Sequence, residues 1–231
     1  MSSTNRAALG AVVAAAILFT AVAMAFWYAP VEADQGWRQK IFYLHVPVAV
    51  TTLVAFVTGG VFAARYLWTR DPRDDTLSYV AIHHGTIWGV GALVTGAVWA
   101  RSSWGVWWSW GDVTLNAFLV CMLLYCSYFM LRFSVEGGGE RRARFSAVFA
   151  VTATVAVPLV FYAVHVAASL YHPETFTRDG PQMPASMFVT FLVAQAALLA
   201  CFALLVSYEA ASKRLDGRLR ELRRRLDGGI A

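Results

Sequence analysis

Six long apolar segments constrain this chain more than any other feature of its sequence. Each holds about 20 residues with few charges, which is the length that a helix needs to cross the hydrocarbon core of a bilayer. Inside a bilayer every backbone amide must find its partner within the protein, so such segments form helices rather than open strands. The segments cover residues 8–28, 41–64, 79–100, 113–131, 145–168 and 185–208. We predict an all-α integral membrane protein, a bundle of six transmembrane helices forming one domain over residues 1–231.

Composition supports the same class. Hydrophobic residues make up 58% of the chain and charged residues only 14%, whereas charged residues are about a quarter of a soluble domain. The net charge of +5 does not indicate nucleic acid as a partner, because the basic residues lie in loops and a tail around the apolar segments. The three cysteines all fall inside apolar segments and are expected to be structural. The first segment is alternatively a cleaved signal peptide, since Ala21-Val-Ala23 resembles a cleavage site.

Lysine and arginine are distributed unequally between the two ends of the segments. Fifteen of the 19 lie at the N-terminus, in two connections and in the tail 209–231, and the other four lie in connections of opposite orientation. By the positive-inside rule both termini and the basic tail are cytoplasmic. The outward loops are then residues 29–40, 101–112 and 169–184. Four leucines of the tail share one helical stripe, which suits a helix on anionic lipid, although the tail charges also simply fix topology.

The outward loop 101–112 contains four of the nine tryptophans: Trp104, Trp107, Trp108 and Trp110. Tryptophan favours sites that are apolar on one side and wet on the other, so a membrane interface attracts it. Such an aromatic belt accounts for the five scattered tryptophans: Trp27, Trp37, Trp68, Trp88 and Trp99. On a helix, Trp104, Trp107 and Trp108 would instead share one face and form a flat platform for a flat ligand. Spacing alone leaves both interpretations open.

Three of the five histidines lie toward the outside. His45 is about one turn into the second segment, just before Pro47, and His172 precedes Pro173, which disfavours a helical conformation at His172. Both are candidate metal ligands, and each is alternatively an ordinary hydrogen-bonded histidine. His165 lies two turns deeper and is a candidate second-shell partner or a polar contact between helices.

The remaining histidines, His83 and His84, lie near the inner end of the third segment, and we interpret them as interfacial or packing residues. A membrane cytochrome b with two haems would need paired histidines on separate helices at the inner surface. Only one inner helix supplies any, which disfavours that class.

The outward residues together suit a flat iron macrocycle. Aromatic rings stack on its face, imidazoles coordinate its iron, and basic side chains bind its carboxylates. Arg101 and Arg178 are the candidate carboxylate partners, and each is alternatively a solvated interface charge.

At these residues the chain resembles the haem exporter protein C family of bacterial cytochrome c maturation, which has an outward motif of the form WGxWWxWD. The chain has Trp104-Gly105-Val-Trp107-Trp108-Ser-Trp110 with Asp112 beyond it, then Tyr43-Leu-His45-Val-Pro47 on one side and His172 on the other. It departs from the family where Asp-x-Arg-Leu-Thr usually follows the last tryptophan. Here the aspartate is displaced by one position and the arginine is missing, so Arg101 or Arg178 would have to take its place.

The resemblance implies haem b held transiently at the outer face of the bacterial inner membrane. His45 and His172 would be the axial ligands, with Trp104, Gly105, Trp107, Trp108, Trp110 and Asp112 as the platform for haem and chaperone. It implies delivery to a periplasmic membrane-anchored haem chaperone, alongside an ABC-type ATPase, its permease and a small membrane subunit.

No constellation of nucleophile and general base is apparent in the sequence, so an enzyme is not predicted. Two other classes stay open. One is a redox-active haem membrane protein or a relative that acts as the cytochrome c haem ligase. The other is a small-solute permease, for which Thr51, Thr52, Thr95 and Gln195 would be the polar groups within the membrane.

Overall fold

The computed structural model describes residues 3–137, 139–166, 175–177 and 179–228, and almost all of them are helical. A π-helical turn, Met24–Tyr28, extends the first helix, and a 3₁₀ turn, Trp37–Ile41, leads into the second. One short antiparallel pair, β1 (Phe176–Thr177) and β2 (Gly180–Pro181), precedes the last helix. The helices are α1 (Ser3–Ala23), α2 (Phe42–Thr69), α3 (Pro72–Trp104), α4 (Val113–Ser134), α5 (Gly139–Thr154), α6 (Ala156–Val166) and α7 (Ala185–Gly228).

The described residues contain five helical stretches long and apolar enough to cross a membrane: Ala7–Tyr28, Trp37–Thr69, Val113–Ser134, Gly139–Val160 and Ala185–Asp227. Each overlaps one of the predicted segments. The remaining segment, 79–100, lies inside α3, which is 33 residues long but is not among the five. The all-α class is therefore confirmed, and the sixth span remains a prediction.

The ends of α3 follow from its sequence. Asp71 accepts a hydrogen bond from the Arg73 backbone N–H at 2.9 Å, and Pro72 occupies the first helical position, where its missing N–H costs nothing. At the other end Gly105 adopts φ 77° and closes the helix, a conformation that glycine reaches without strain. These two caps make α3 longer than the apolar segment by which it was predicted.

Close packing of α2 on α3 forms the centre of the bundle. Phe56 of α2 stacks on Tyr125 of α4 with ring centroids 3.6 Å apart. A Cβ atom on Gly59 would stand 2.5 Å from Ile82 Cγ1, and one on Gly85 would stand 2.8 Å from Phe56 Cδ1. Glycines at these positions let the helix backbones approach one another, as small residues do in membrane bundles.

The predicted fifth segment, 145–168, is not one continuous helix in the structure. It is divided at Val155 into α5 and α6. Pro158 explains the division, because it has no N–H to donate to the carbonyl of Thr154 and its ring collides with that carbonyl. Pro47 lies inside α2, and the helix continues through it.

The last predicted segment forms a longer helix than expected. We predicted a span at 185–208 followed by a separate tail, but α7 continues without interruption for 44 residues, from Ala185 to Gly228. The four leucines of the tail are exposed along it: Leu215, Leu219, Leu222 and Leu226.

Parts of the three predicted outward loops meet at one end of the bundle. Arg38 donates to the carbonyl of Ser102 at 2.5 Å, which ties the first loop to the second. Phe176, from the third, contacts Phe191 of α7 at 5.2 Å, and Phe191 contacts Phe42 at 5.6 Å. We call this the outer end, in keeping with the predicted orientation, and it contains the candidate site.

Candidate haem-binding site

His45 lies in the first turns of α2 and is held by α3. Its Nδ1 is 3.1 Å from the hydroxyl of Thr95, and that hydroxyl donates its own proton to the carbonyl of Gly91 at 2.8 Å. When the Thr95 hydroxyl donates to Gly91, its oxygen accepts the Nδ1–H of His45. In this tautomer the lone pair is on Nε2, the form in which an imidazole coordinates a metal through that atom.

The ring of His45 lies against the backbone of α3 at Gly96. A Cβ atom at position 96 would be 2.8 Å from Cε1 of His45, closer than such atoms approach. Beyond Gly96, Trp99 meets the His45 ring edge to face with centroids 5.7 Å apart. Because Thr95, Gly96 and Trp99 lie within about one turn of α3, a single helix face fixes the position and orientation of His45.

Trp99 is buried, with 6% of its surface exposed, and its indole N–H donates to Oε1 of Gln35 at 2.9 Å. Gln35 belongs to a turn in which the carboxylate of Glu32 accepts from the backbone N–H groups of Asp34 and Gln35. These hydrogen bonds hold the pKa of Glu32 below its usual value. The interpretation of Trp99 as a belt residue at the water interface is therefore wrong, because this side chain packs between His45 and the loops.

The tryptophan motif is not helical beyond its first member. Trp104 ends α3, and residues 105–112 form an irregular loop before α4. The expectation that Trp104, Trp107 and Trp108 share one helix face is therefore wrong. The cause is Gly105, whose left-handed conformation turns the chain out of the helix.

The tryptophans instead form stacked and edge-on contacts in two places. Trp104 stacks on Trp99 with centroids 6.2 Å apart, and Trp108 meets Trp110 at 6.0 Å. Trp107 and Trp110 are exposed, by 60% and 77%. Trp108 and Trp110 also border a shallow apolar groove that Leu93, Val94, Ala97 and Leu119 complete. Trp104 thus packs on Trp99, the neighbour of His45, while Trp107 and Trp110 of the loop are presented to the surroundings.

Three polar residues in and beside the motif stabilise the loop. Arg101 donates to the carbonyl of Gly105 and lies 5.9 Å from the ring of Trp107. Asp112 is almost fully buried, and its carboxylate accepts the N–H of Leu115 as the cap of α4. Asn116 donates to the carbonyls of Trp110 and Asp112. Arg101 is exposed beside the tryptophan loop. Asp112 is buried and fixes the end of the loop by capping α4.

Three predicted residues cannot be placed. His172 and Arg178 lie outside the described residues, and so does the side chain of His165, whose backbone belongs to α6. Their roles remain predictions from the sequence.

A second cluster, at the opposite end of the bundle, was missed by the sequence interpretation. His83 and His84 of α3 both approach the carboxylate of Glu209 of α7, at 3.0 Å each. Lys213 lies 3.3 Å from the same carboxylate. The signal available in the sequence was Glu209, an acidic residue just beyond the last apolar segment, but its pairing with α3 depends on the packing of α7.

Comparison with known proteins identifies the family of the chain. The family model described as "Heme exporter protein C" matches residues 2–225. The chain belongs to this family. Within it, His45, Thr95, Gly96 and the tryptophan loop can be assigned to one structural unit at the outer end.

Three bacterial proteins named "Heme exporter protein C" illustrate the similarity. The chain is 28% identical to that of Bradyrhizobium diazoefficiens over 195 residues, 84% of this chain and 73% of the other. The identity is 29% over 180 residues, or 77% and 74% of the two chains, for the Rhodobacter capsulatus protein. For the Paracoccus denitrificans protein it is 31% over 163 residues, or 70% and 67%.

Proposed function

We propose that this protein binds haem at the outer end of its bundle and passes it on during the biogenesis of c-type cytochromes. Membership of the haem exporter protein C family supports haem handling. The orientation of His45 carries the assignment of the site. Haem is the cargo in this proposal, received and released by the protein and not retained as a resident cofactor.

The residues present fit such a cargo. The Thr95 hydroxyl fixes the His45 tautomer with its lone pair on Nε2, which suits coordination of an iron. Gly96 leaves room for the ring. The exposed indoles of Trp107 and Trp110 offer apolar surface to a flat macrocycle. An imidazole set among aromatic rings favours haem over a bare hydrated cation.

In this proposal each group of residues has a distinct task. His45 coordinates the iron on one face, and His172 coordinates it on the other. The indoles of the loop 105–112 cover the ring and exclude water. Arg101 binds a propionate by exchanging its hydrogen bond to Gly105 for a charged partner, and Arg178 is the second candidate for this contact.

The position of the exposed indoles of the tryptophan loop supports delivery of haem to a partner protein. The loop begins and ends at helix termini fixed by Gly105 and Asp112, so its exposed indoles face outward from a fixed base. We infer that a membrane-anchored haem chaperone in the periplasm docks there. We also infer that an ABC-type ATPase and permease with a small membrane subunit complete the system, in the bacterial inner membrane, around a protein with six spans and cytoplasmic termini.

The test is haem titration of the detergent-purified protein, followed by its Soret absorption. Wild type should bind one equivalent with a six-coordinate spectrum. His45→Gly should lose this spectrum and regain it on addition of free imidazole, which would show that the rest of the site is folded. His172→Ala should give a five-coordinate spectrum. A wild-type spectrum in both variants would refute the ligand assignment, and a wild type that binds no haem would refute the function.

A further inference from the structure

We propose that His83, His84 and Glu209 form a binding site for a divalent transition-metal ion of the Zn²⁺ type, joining α3 to α7 at the end of the bundle opposite the tryptophan loop. The proposal is independent of haem binding, because it uses none of the residues of the outer end.

The geometry of the three side chains is already close to that of a metal site. Nδ1 of His83 and Nε2 of His84 are each 3.0 Å from Oε2 of Glu209, and the ligand atoms of the three residues all lie within 4.8 Å of one another. A tetrahedral ion with bonds of about 2.0–2.1 Å needs its ligand atoms roughly 3.3 Å apart. Small side-chain rotations would therefore suffice for all three to coordinate one ion.

A buried nitrogen supplies a second and independent observation. Nε2 of His84 is shielded from solvent and makes no satisfactory hydrogen bond within the described part of the chain, although Oε2 of Glu209 is near. A metal ion held between the three side chains would give this buried nitrogen a well-oriented partner.

The surroundings orient the carboxylate and the exposed histidine. Lys213 pairs with Oε1 of Glu209 at 3.3 Å, whereas Oε2 lies beside the two imidazoles. Tyr79 stacks on His83 with centroids 6.0 Å apart, and its ring also receives the ammonium group of Lys213 at 4.6 Å. His83 is partly exposed, so an ion can enter from the surface without opening the bundle.

The set of ligands indicates the kind of ion. Two imidazoles and one carboxylate suit zinc and its neighbours in the first transition series, whereas Mg²⁺ and Ca²⁺ prefer oxygen ligands alone. Three protein ligands leave a coordination position for water. Because the histidines and the carboxylate belong to different helices, the bound ion would fasten α7 to α3.

The experiment uses the full-length protein in detergent, freed of metal with a chelator that is then removed. Co²⁺ is added, and the visible absorption of tetrahedral cobalt is followed. Zn²⁺ is then titrated against it to obtain an affinity. Wild type should bind one ion, without the intense near-ultraviolet band of a cobalt–thiolate bond, which excludes the cysteines as ligands.

Two variants remove ligands and one serves as the control. His84→Ala and Glu209→Gln should each weaken Zn²⁺ binding by roughly 100-fold or more, because loss of an outer-shell partner alone costs 10–100-fold. Arg214→Ala changes an exposed residue beside the cluster and should bind as wild type does. Circular dichroism and gel filtration establish that the variants are folded.

Either of two results would overturn the proposal. One is a wild type that binds no Co²⁺ or Zn²⁺ in a saturable manner. The other is equal affinity in wild type, His84→Ala and Glu209→Gln when all three are folded, which would leave the cluster as a hydrogen-bonded contact between helices.

Discussion

Histidines lie at both ends of the bundle, His45 of α2 at the outer end and His83 and His84 of α3 at the inner end. The charges of their neighbouring side chains differ. At the outer end His45 is oriented by a neutral hydroxyl and surrounded by Gly96 and Trp99. At the inner end His83 and His84 face a carboxylate that also pairs with a lysine. The residue type is the same, and the neighbours differ in charge.

This difference separates two kinds of ligand. A hydroxyl and aromatic rings add no charge and supply apolar surface, which suits an iron already enclosed in a macrocycle. A carboxylate adds negative charge and a third ligand atom, which suits a bare divalent ion. The neighbours of a histidine therefore indicate its ligand more clearly than its position along the chain does.

The largest expected effect comes from Gly96→Ala. Its Cβ would be 2.8 Å from Cε1 of His45, so the imidazole must move, and we expect haem affinity to fall by about 100-fold, as when a metal ligand is misplaced. Gly91→Ala is the matched control on the same helix, because its Cβ would meet Val48 at an ordinary 3.7 Å. Soret titrations measure both affinities. Equal affinity in the two variants would mean that His45 does not coordinate the haem.

A smaller effect is expected from Thr95→Val, which keeps the shape of the side chain and removes the hydroxyl that orients His45. Haem affinity should fall by roughly tenfold, the lower end for loss of such a partner. Thr58→Val is the control, since Thr58 makes the same type of hydrogen bond to its own helix and is exposed. A Thr95→Val protein with unchanged affinity would mean that packing alone orients the ring.

Gln35→Ala tests the support behind Trp99. The indole N–H loses its acceptor at 2.9 Å, and an unpaired buried donor costs about 1 kcal/mol or more. We expect haem to dissociate about fivefold faster at this cost, as measured by transfer to apomyoglobin. Asp34→Ala, in the same turn, retains the Gln35 side chain and should dissociate at the wild-type rate.

The smallest effect concerns the inner end. Lys213→Met removes a positive charge 3.3 Å from the Glu209 carboxylate, so Zn²⁺ affinity should rise by a few-fold through weaker charge repulsion. Competition titration with a zinc chromophore measures the change. The same substitution should not alter the Soret spectrum. Tighter zinc binding with an unaltered haem spectrum would show that the charge of Lys213 acts on the zinc site alone.

Much of the fold could be predicted from the sequence, because long apolar segments permit only helices in a bilayer. What the sequence obscured were changes caused by single residues. Pro158 divides the fifth segment, and Gly105 ends α3 before the loop that carries Trp107, Trp108 and Trp110. Both are recognisable helix breakers, but hydropathy averaged over about 20 residues does not register them.

The candidate site was only partly predictable for a related reason. His45 and the tryptophan motif are conspicuous in sequence, whereas Thr95 and Gly96 matter because of where α2 crosses α3. Glu209 is similar, since it is 125 residues from His84 along the chain and meets it only when α7 packs beside α3. Contacts between distant helices depend on tertiary packing, which periodicity does not specify.

The continuity of α7 has a mechanical consequence. Phe191, which contacts Phe42 near His45, and Glu209, which meets His83 and His84, belong to one uninterrupted helix. They are separated along it by about 27 Å at 1.5 Å per residue. Because the helix is continuous, a tilt that moved Glu209 toward or away from α3 would also shift the contact between Phe191 and Phe42 at the other end.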